Sequence, residues 1–177
     1  MNASTPTSPG RVLYAIDRLT ARDVTHRAPH RDQSAAAARL VARLGLASVT
    51  SRSHSRGLIA AAAGDALVLG IDIEWMAPTR DFAALARAFL QRAPQAMSAA
   101  DFYRGWTFHE AHYKAFQRFP DEESVLAVLA ATDETLTLPN GTQVLQRRVA
   151  EMFQLCLVWQ CAPSAPCRAQ ELTGCQA

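Results

Sequence analysis

The chain has 177 residues, 49% of them hydrophobic and 19% charged, and a formal net charge of +2. Those values suit one compact domain, or two small halves sharing a core, and exclude a disordered chain. The small positive balance is too small to argue for nucleic acid on its own, and no apolar run approaches the roughly 18 residues of a membrane span.

Taken in chain order, MNASTPTSPG (1–10) has neither the basic nor the apolar region of a secretory signal and reads as a disordered leader. RVLYAID (11–17) reads as a first strand, and the polar stretch 18–31 as a loop in which Pro29 discourages helix. QSAAAARLVARLG opens at Gln33 as an alanine-rich helix over 33–44, with Gly45 as its C-cap. SVTSRSHSRG (48–57) reads as a turn-rich loop. GLIAAAAGDALVLGIDIE follows as two apolar strands joined at Gly64-Asp65. Pro78-Thr79-Arg80-Asp81 opens a helix through about Gln91. A second helix runs from about Ser98, with a capping-box-like Ser98-x-x-Asp101, to Phe119, stopped by Pro120. Asn140-Gly141 marks a hairpin turn between TLTLP and TQVLQRRV, FQLCLVWQC is the last strand, and a low-order tail closes the chain. The class is mixed α+β.

Cys156, Cys161, Cys167 and Cys175 form no CxxC pair and no zinc pattern. They read as one buried thiol and three incidental ones, which suits a reducing cytoplasm.

Three stretches carry residue types suited to chemistry. In VLGIDIEW (68–75), strand alternation puts Asp72 and Glu74 on one face and Ile71 and Ile73 on the other. Adjacent carboxylates repel unless a cation sits between them, and a hard cation such as Mg²⁺ takes oxygen ligands. In WTFHEAHYK (106–114), Phe102, Trp106, His109, Tyr113 and Phe116 line one helix face, with Glu110 and Lys114 four apart at its rim. Lys114 is the only lysine; the other seventeen of the 18 Lys+Arg are arginine. On a surface an arginine serves a Glu–Lys pair equally well, whereas an ammonium is a compact point charge suited to a phosphate oxygen in a tight space. HEAH echoes the zinc-protease H-E-x-x-H, but His109 and His112 are three apart and Tyr113 stands where the second ligand belongs. His112 then reads as a surface or loop-facing histidine. In SRSHSRG (51–57), hydroxyls, an imidazole and arginines crowd into a turn, as at a phosphate monoester site.

Taken together, Ser53-His54-Ser55, Gly70-Ile71-Asp72-Ile73-Glu74 and Trp106-Thr107-x-x-Glu110-Ala111-x-Tyr113-Lys114 resemble the 4′-phosphopantetheinyl transferase superfamily. The resemblance is nearer to its two-half, surfactin-synthetase-type (Sfp-like) members, and it is good from about Ser48 to Phe119. It implies two similar α+β halves in pseudo-twofold arrangement, an N-terminal half at 11–74 and a C-terminal half at 75–162, with the tail at 163–177. It implies coenzyme A in the cleft between the halves. It also implies transfer of the 4′-phosphopantetheine arm to a serine of an acyl or peptidyl carrier protein of fatty acid or secondary metabolite biosynthesis. Adenosine 3′,5′-bisphosphate is the other product. On the same footing Asp72, Glu74 and Glu110 hold Mg²⁺, Glu110 takes the serine proton, Lys114 contacts the pyrophosphate, and His54 with Ser53 meets the 3′-phosphate. A cytoplasmic monomer is implied.

Two departures stand out. The position before the glutamate is usually lysine in that family and is His109 here, which donates to phosphate only when protonated or in the right tautomer. The first half is short and lacks a G-K-P segment, which leaves Arg31, Arg39 and Arg43 as the candidates for the missing basic contacts. Both departures favour an alternative, a catalytically impaired member that binds coenzyme A or a carrier protein without transfer. An unrelated α+β binding domain is a third reading.

Overall fold

A computed structural model describes residues 10–19, 29–45, 48–91, 96–163 and 167–173. The expected leader lies outside them except for Gly10. The described elements are β1 (Gly10–Arg18), α1 (Pro29–Leu44), β2 (Val49–Ser55), β3 (Leu58–Gly64), β4 (Val68–Trp75), α2 (Phe82–Leu85) with a 3₁₀ turn at Ala86–Ala88, α3 (Ala99–Phe116), α4 (Glu122–Ala130), β5 (Thr135–Thr137), β6 (Gln143–Val149), β7 (Phe153–Gln160) and β8 (Cys167–Glu171). They form two four-stranded sheets, β2-β3-β1-β8 and β4-β7-β6-β5, so the chain is mixed α+β. Every pairing is antiparallel except β1 with β8. No helix among the described residues is long and apolar enough to cross a membrane.

Strand alternation sorts the core into three slabs. In the first sheet, Leu13, Ala15, Ile59, Ala61 and Ala63 pack against Ala36, Ala37, Leu40 and Leu44 of α1. Their neighbours Val12, Tyr14, Leu58, Ala60 and Ala62 turn to the other side and meet Leu69, Ile71, Ile73, Leu155, Leu157 and Trp159 of the second sheet. The far face of that second sheet gives Val144, Cys156 and Val158 to a third slab, which holds Phe102, Phe108, Ala111, Val125 and Val128 of α3 and α4. With Ile71 and Ile73 drawn into the slab between the sheets, Gly70, Asp72 and Glu74 are left on the α3 side of β4. Gly70 is needed there, because a Cβ would sit 2.0 Å from the carbonyl oxygen of Ala111. The small residue lets α3 lie directly on β4.

Several elements differ from the sequence expectation. α1 starts at Pro29, four residues early; a proline is tolerated in the first helical turn, where its missing N–H has no intrahelical partner. The stretch 48–57 is not a loop: Val49–Ser55 is a strand paired antiparallel with β3, and only Arg56-Gly57 turns. Both turn residues have positive φ, 43° and 83°, as a two-residue hairpin of type I′ requires. The helix expected to reach Gln91 is a single turn capped by Asp81, whose carboxylate accepts from the Ala84 N–H at 2.9 Å. α3 has its Ser98 cap but ends at Phe116, because Gln117 adopts left-handed φ 56° before Pro120 is reached. α4 was not expected; Asp121 caps it, accepting from the Ser124 N–H at 2.7 Å.

The closing segment also departs. β8 lies in the expected tail and pairs parallel with β1, and Cys167 at its start is disulfide-bonded to Cys161, with Cα atoms 6.0 Å apart. Cys156 is the buried free thiol, as expected. Two of the cysteines taken as incidental are therefore paired, and they lend no support to a reducing compartment. By sheet, β1, β2, β3 and β8 belong to the first and β4 to β7 to the second.

Candidate functional site

β4 has β7 on one side and, among the described residues, no backbone partner on the other, where β2 approaches it. The alternate serines of β2 supply what a strand would. Ser51 Oγ accepts from the Ile71 N–H at 3.0 Å, and Ser55 Oγ accepts from the Trp75 N–H at 3.0 Å. The hydroxyls also hold the carboxylates of β4: Ser53 Oγ donates to Asp72 Oδ1 at 2.8 Å and Ser55 Oγ to Glu74 Oε2 at 3.0 Å. The period of two in SRSHS thus matches the period of two in DIE. The sequence expectation had given Ser53 to phosphate, yet Ser53 is buried and spends its proton on Asp72.

Lys114 reaches the same carboxylate from α3. Its Nζ donates to Asp72 Oδ1 at 2.8 Å and to the Ile71 carbonyl at 3.0 Å. Asp72 is 4% exposed, and its other oxygen, Oδ2, is buried without a hydrogen-bond partner. Glu110, one turn before Lys114, and Glu74 share this neighbourhood. Burial raises the Glu74 carboxyl above its ordinary value and the charge of Asp72 adds to the rise; the Ser55 hydrogen bond and then Lys114 oppose it, and Glu110 adds a little more. Burial and then Asp72 also raise Glu110, against Lys114. Raised carboxyls facing a third carboxylate mark an acidic cluster short of positive charge.

The donor chemistry and the unsatisfied Asp72 Oδ2 fit a hard divalent cation. Among the described residues, no three His, Cys, Asp or Glu side chains are already gathered into a metal-holding group. Asp72, Glu74 and Glu110 interact as charges without forming a ready chelate.

The remaining expected site residues lie apart from this cluster or differ from expectation. His109 is buried, stacked on Phe119 at 4.1 Å and on Trp106 at 5.9 Å between ring centres. Its Nδ1 is 3.8 Å from Glu110 Oε1, too far for a hydrogen bond, and has no other partner. Burial, then His112, holds its pKa below the ordinary imidazole value, so it is neutral near pH 7. His112 is buried as well, not on the surface; its Nδ1–H donates to the loop carbonyl of Arg118 at 2.9 Å. His54 is half-buried on β2, on the face opposite the serines, and Arg39 is an exposed position of α1. Of the other two arginines, Arg43 pairs with Asp17 at 3.3 Å and Arg31 is exposed.

Sequence reasoning missed one part of the site. Arg56, in the strained left-handed position of the β2–β3 turn, lays its guanidinium 3.6 Å from the centre of the Trp75 ring. Beside it opens a cleft of about 410 Å³, lined among others by Ser55, Glu74, Arg80 and Trp106. Its walls come from both sheets and from α3. The available signal was the arginine-glycine turn, which strand alternation through Ser55 carries next to Trp75.

Comparison with known protein-family models returns no match, and neither does comparison with curated protein sequences.

Proposed function

We propose that the chain is a Mg²⁺-dependent 4′-phosphopantetheinyl transferase, built as two similar halves, that modifies a serine of an acyl or peptidyl carrier protein with coenzyme A as donor. One observation carries this reading. Asp72 Oδ1 accepts from Ser53 and from Lys114, both at 2.8 Å, so three motifs distant in sequence converge on a single atom. Topology supports it as well. β1-α1-β2-β3 forms the strand order β2-β3-β1, and β4, the helices, β6 and β7 form β6-β7-β4, with antiparallel pairing throughout both sets. Each set runs as a strand, then helix, then two strands paired with each other, and ends in the same strand order.

In this reading the carrier serine Oγ forms a bond to the phosphorus bearing the pantetheine arm. The bond from that phosphorus to the bridging oxygen breaks, and adenosine 3′,5′-bisphosphate leaves. Glu110 accepts the serine proton, directly or through water. Lys114 supplies positive charge to the pyrophosphate as the anhydride opens. Asp72, Glu74 and Glu110 would hold Mg²⁺, which supplies charge neutralisation for the phosphate oxygens. The cleft beside Glu74, with Arg56 and Arg80 on its wall, suits an anionic ligand with an apolar body such as coenzyme A.

His109 favours a second reading, a binder of coenzyme A without transfer, because a neutral stacked imidazole gives phosphate no charge. The two separate in one experiment. With an apo carrier protein, coenzyme A and Mg²⁺, the intact mass of the carrier gains one phosphopantetheine arm under the transferase reading. No gain across several carriers and pH values overturns it. Glu110→Gln is expected to slow transfer by at least about a hundredfold while the circular dichroism spectrum is unchanged.

A further inference from the structure

We infer that Lys114 is the built-in counter-ion of the acidic site, an ammonium that occupies Asp72 Oδ1 until a divalent cation takes that oxygen and frees it. Three observations lead there. First, the pairing is direct: Nζ lies 2.8 Å from Asp72 Oδ1 and 3.0 Å from the Ile71 carbonyl, so two of its three protons are spent on β4. Second, the compensation is partial. Of the three neighbouring carboxylates, Asp72, Glu74 and Glu110, the ammonium is bonded to Asp72 and to neither glutamate. Third, Asp72 Oδ2 is buried and unbonded in a side chain that is 5% exposed, an unmet acceptor beside the one Lys114 holds.

The choice of lysine over arginine follows. Lys114 roots on α3 while Asp72 roots on β4, and the lysine side chain is 31% exposed against the 5% of its partner. A flexible four-carbon stem carrying a point charge can leave a carboxylate and turn outward to an anion without moving either element. A guanidinium held by two parallel hydrogen bonds would stay on the carboxylate. In a chain whose other seventeen Lys+Arg positions are all arginine, the exchangeable position is the one that needs an ammonium. The identity of the receiving anion, a pyrophosphate oxygen, rests on the transferase reading; the release of Lys114 by a cation does not.

The single lysine makes the test direct. Protein labelled at lysine Cε gives one lysine signal in a carbon–proton correlation spectrum. Addition of MgCl₂ alone is expected to move that signal toward the position of a free lysine, with the same midpoint as the accompanying rise in melting temperature. Lys114→Met, which keeps the stem and removes the charge, is expected to bind Mg²⁺ about tenfold more tightly by calorimetry. Lys114→Arg is expected to bind it more weakly than the unaltered protein. A lysine signal that stays still while Mg²⁺ raises the melting temperature overturns the inference. So does a Lys114→Met protein with unchanged or weaker Mg²⁺ affinity, and so does a complete lack of Mg²⁺ binding in all three proteins. The carrier mass assay is separate: a lysine that moves on Mg²⁺ addition without any carrier modification upholds the exchange and removes the transferase.

Discussion

Asp72 Oδ1 accepts hydrogen bonds from a serine 19 residues before it and a lysine 42 residues after it. At the scale of residues, this atom organises the site, and its charge reaches both glutamates nearby. Glu74 shows the consequence. Its folded pKa lies above the ordinary 4.5, so the folded protein binds more protons than the unfolded chain between those two values, and stability falls as pH rises through that window. Glu74→Gln keeps an acceptor for the Ser55 hydroxyl and removes the charge. In the absence of divalent cations the variant is expected to melt a few degrees higher than the parent near about pH 7, with the difference closing toward about pH 4.5. Equal melting at both ends would show that ionised Glu74 costs the fold nothing. His109, expected to meet phosphate only when protonated or in the right tautomer, is packed between aromatic rings. It is buried against Phe119 and Trp106, and that burial holds its pKa below the ordinary imidazole value.

At the scale of elements, the site depends on how closely α3 lies on β4. Gly70 permits that contact: an added methyl would meet Ala111 O at 2.0 Å and the Ala115 N at 2.8 Å, both backbone atoms that cannot turn aside. Gly70→Ala is expected to destabilise the fold by about 3 kcal/mol in urea unfolding, at or above the usual overpacking range. It should also loosen the Lys114–Asp72 contact by lifting α3. A variant as stable as the parent would mean that α3 shifts freely on the sheet. The β2–β4 seam is the other element-level feature. Serine hydroxyls satisfy backbone N–H groups that a neighbouring strand would otherwise take, and the same side chains orient the carboxylates.

At the scale of the whole molecule, the chain closes on its own beginning. β8 returns after the second sheet is complete, pairs with β1, and is tied to the residue following β7 by the Cys161–Cys167 disulfide. Closing so short a loop is worth about 2 kcal/mol in a chain-entropy account. Cys161→Ser is expected to lower unfolding free energy by that amount, and reduction of the unaltered protein should reproduce the loss. If neither changes the urea midpoint, the disulfide adds nothing to the hold that parallel pairing already gives β8.

What the sequence by itself determined was local. The alternation of β4, the Ser98 cap of α3, the Asn140-Gly141 turn and the class of the fold follow from periods, caps and turn residues that act within a few positions. The acidic residues and Lys114 were legible as chemistry for the same reason: their types and spacing limit what they can do. Tertiary structure alone decided the rest. Ser51, Ser53 and Ser55 read as a polar loop until β3 and the open edge of β4 give their strand partners, and β8 is a polar tail until β1 lies beside it. The sequence pairs Lys114 with Glu110 one helical turn away, whereas the fold hands it to Asp72 on another element. The physical reason is common to all three: a hydrogen bond or ion pair between distant segments depends on which surfaces the hydrophobic slabs bring together, and no local pattern encodes that meeting.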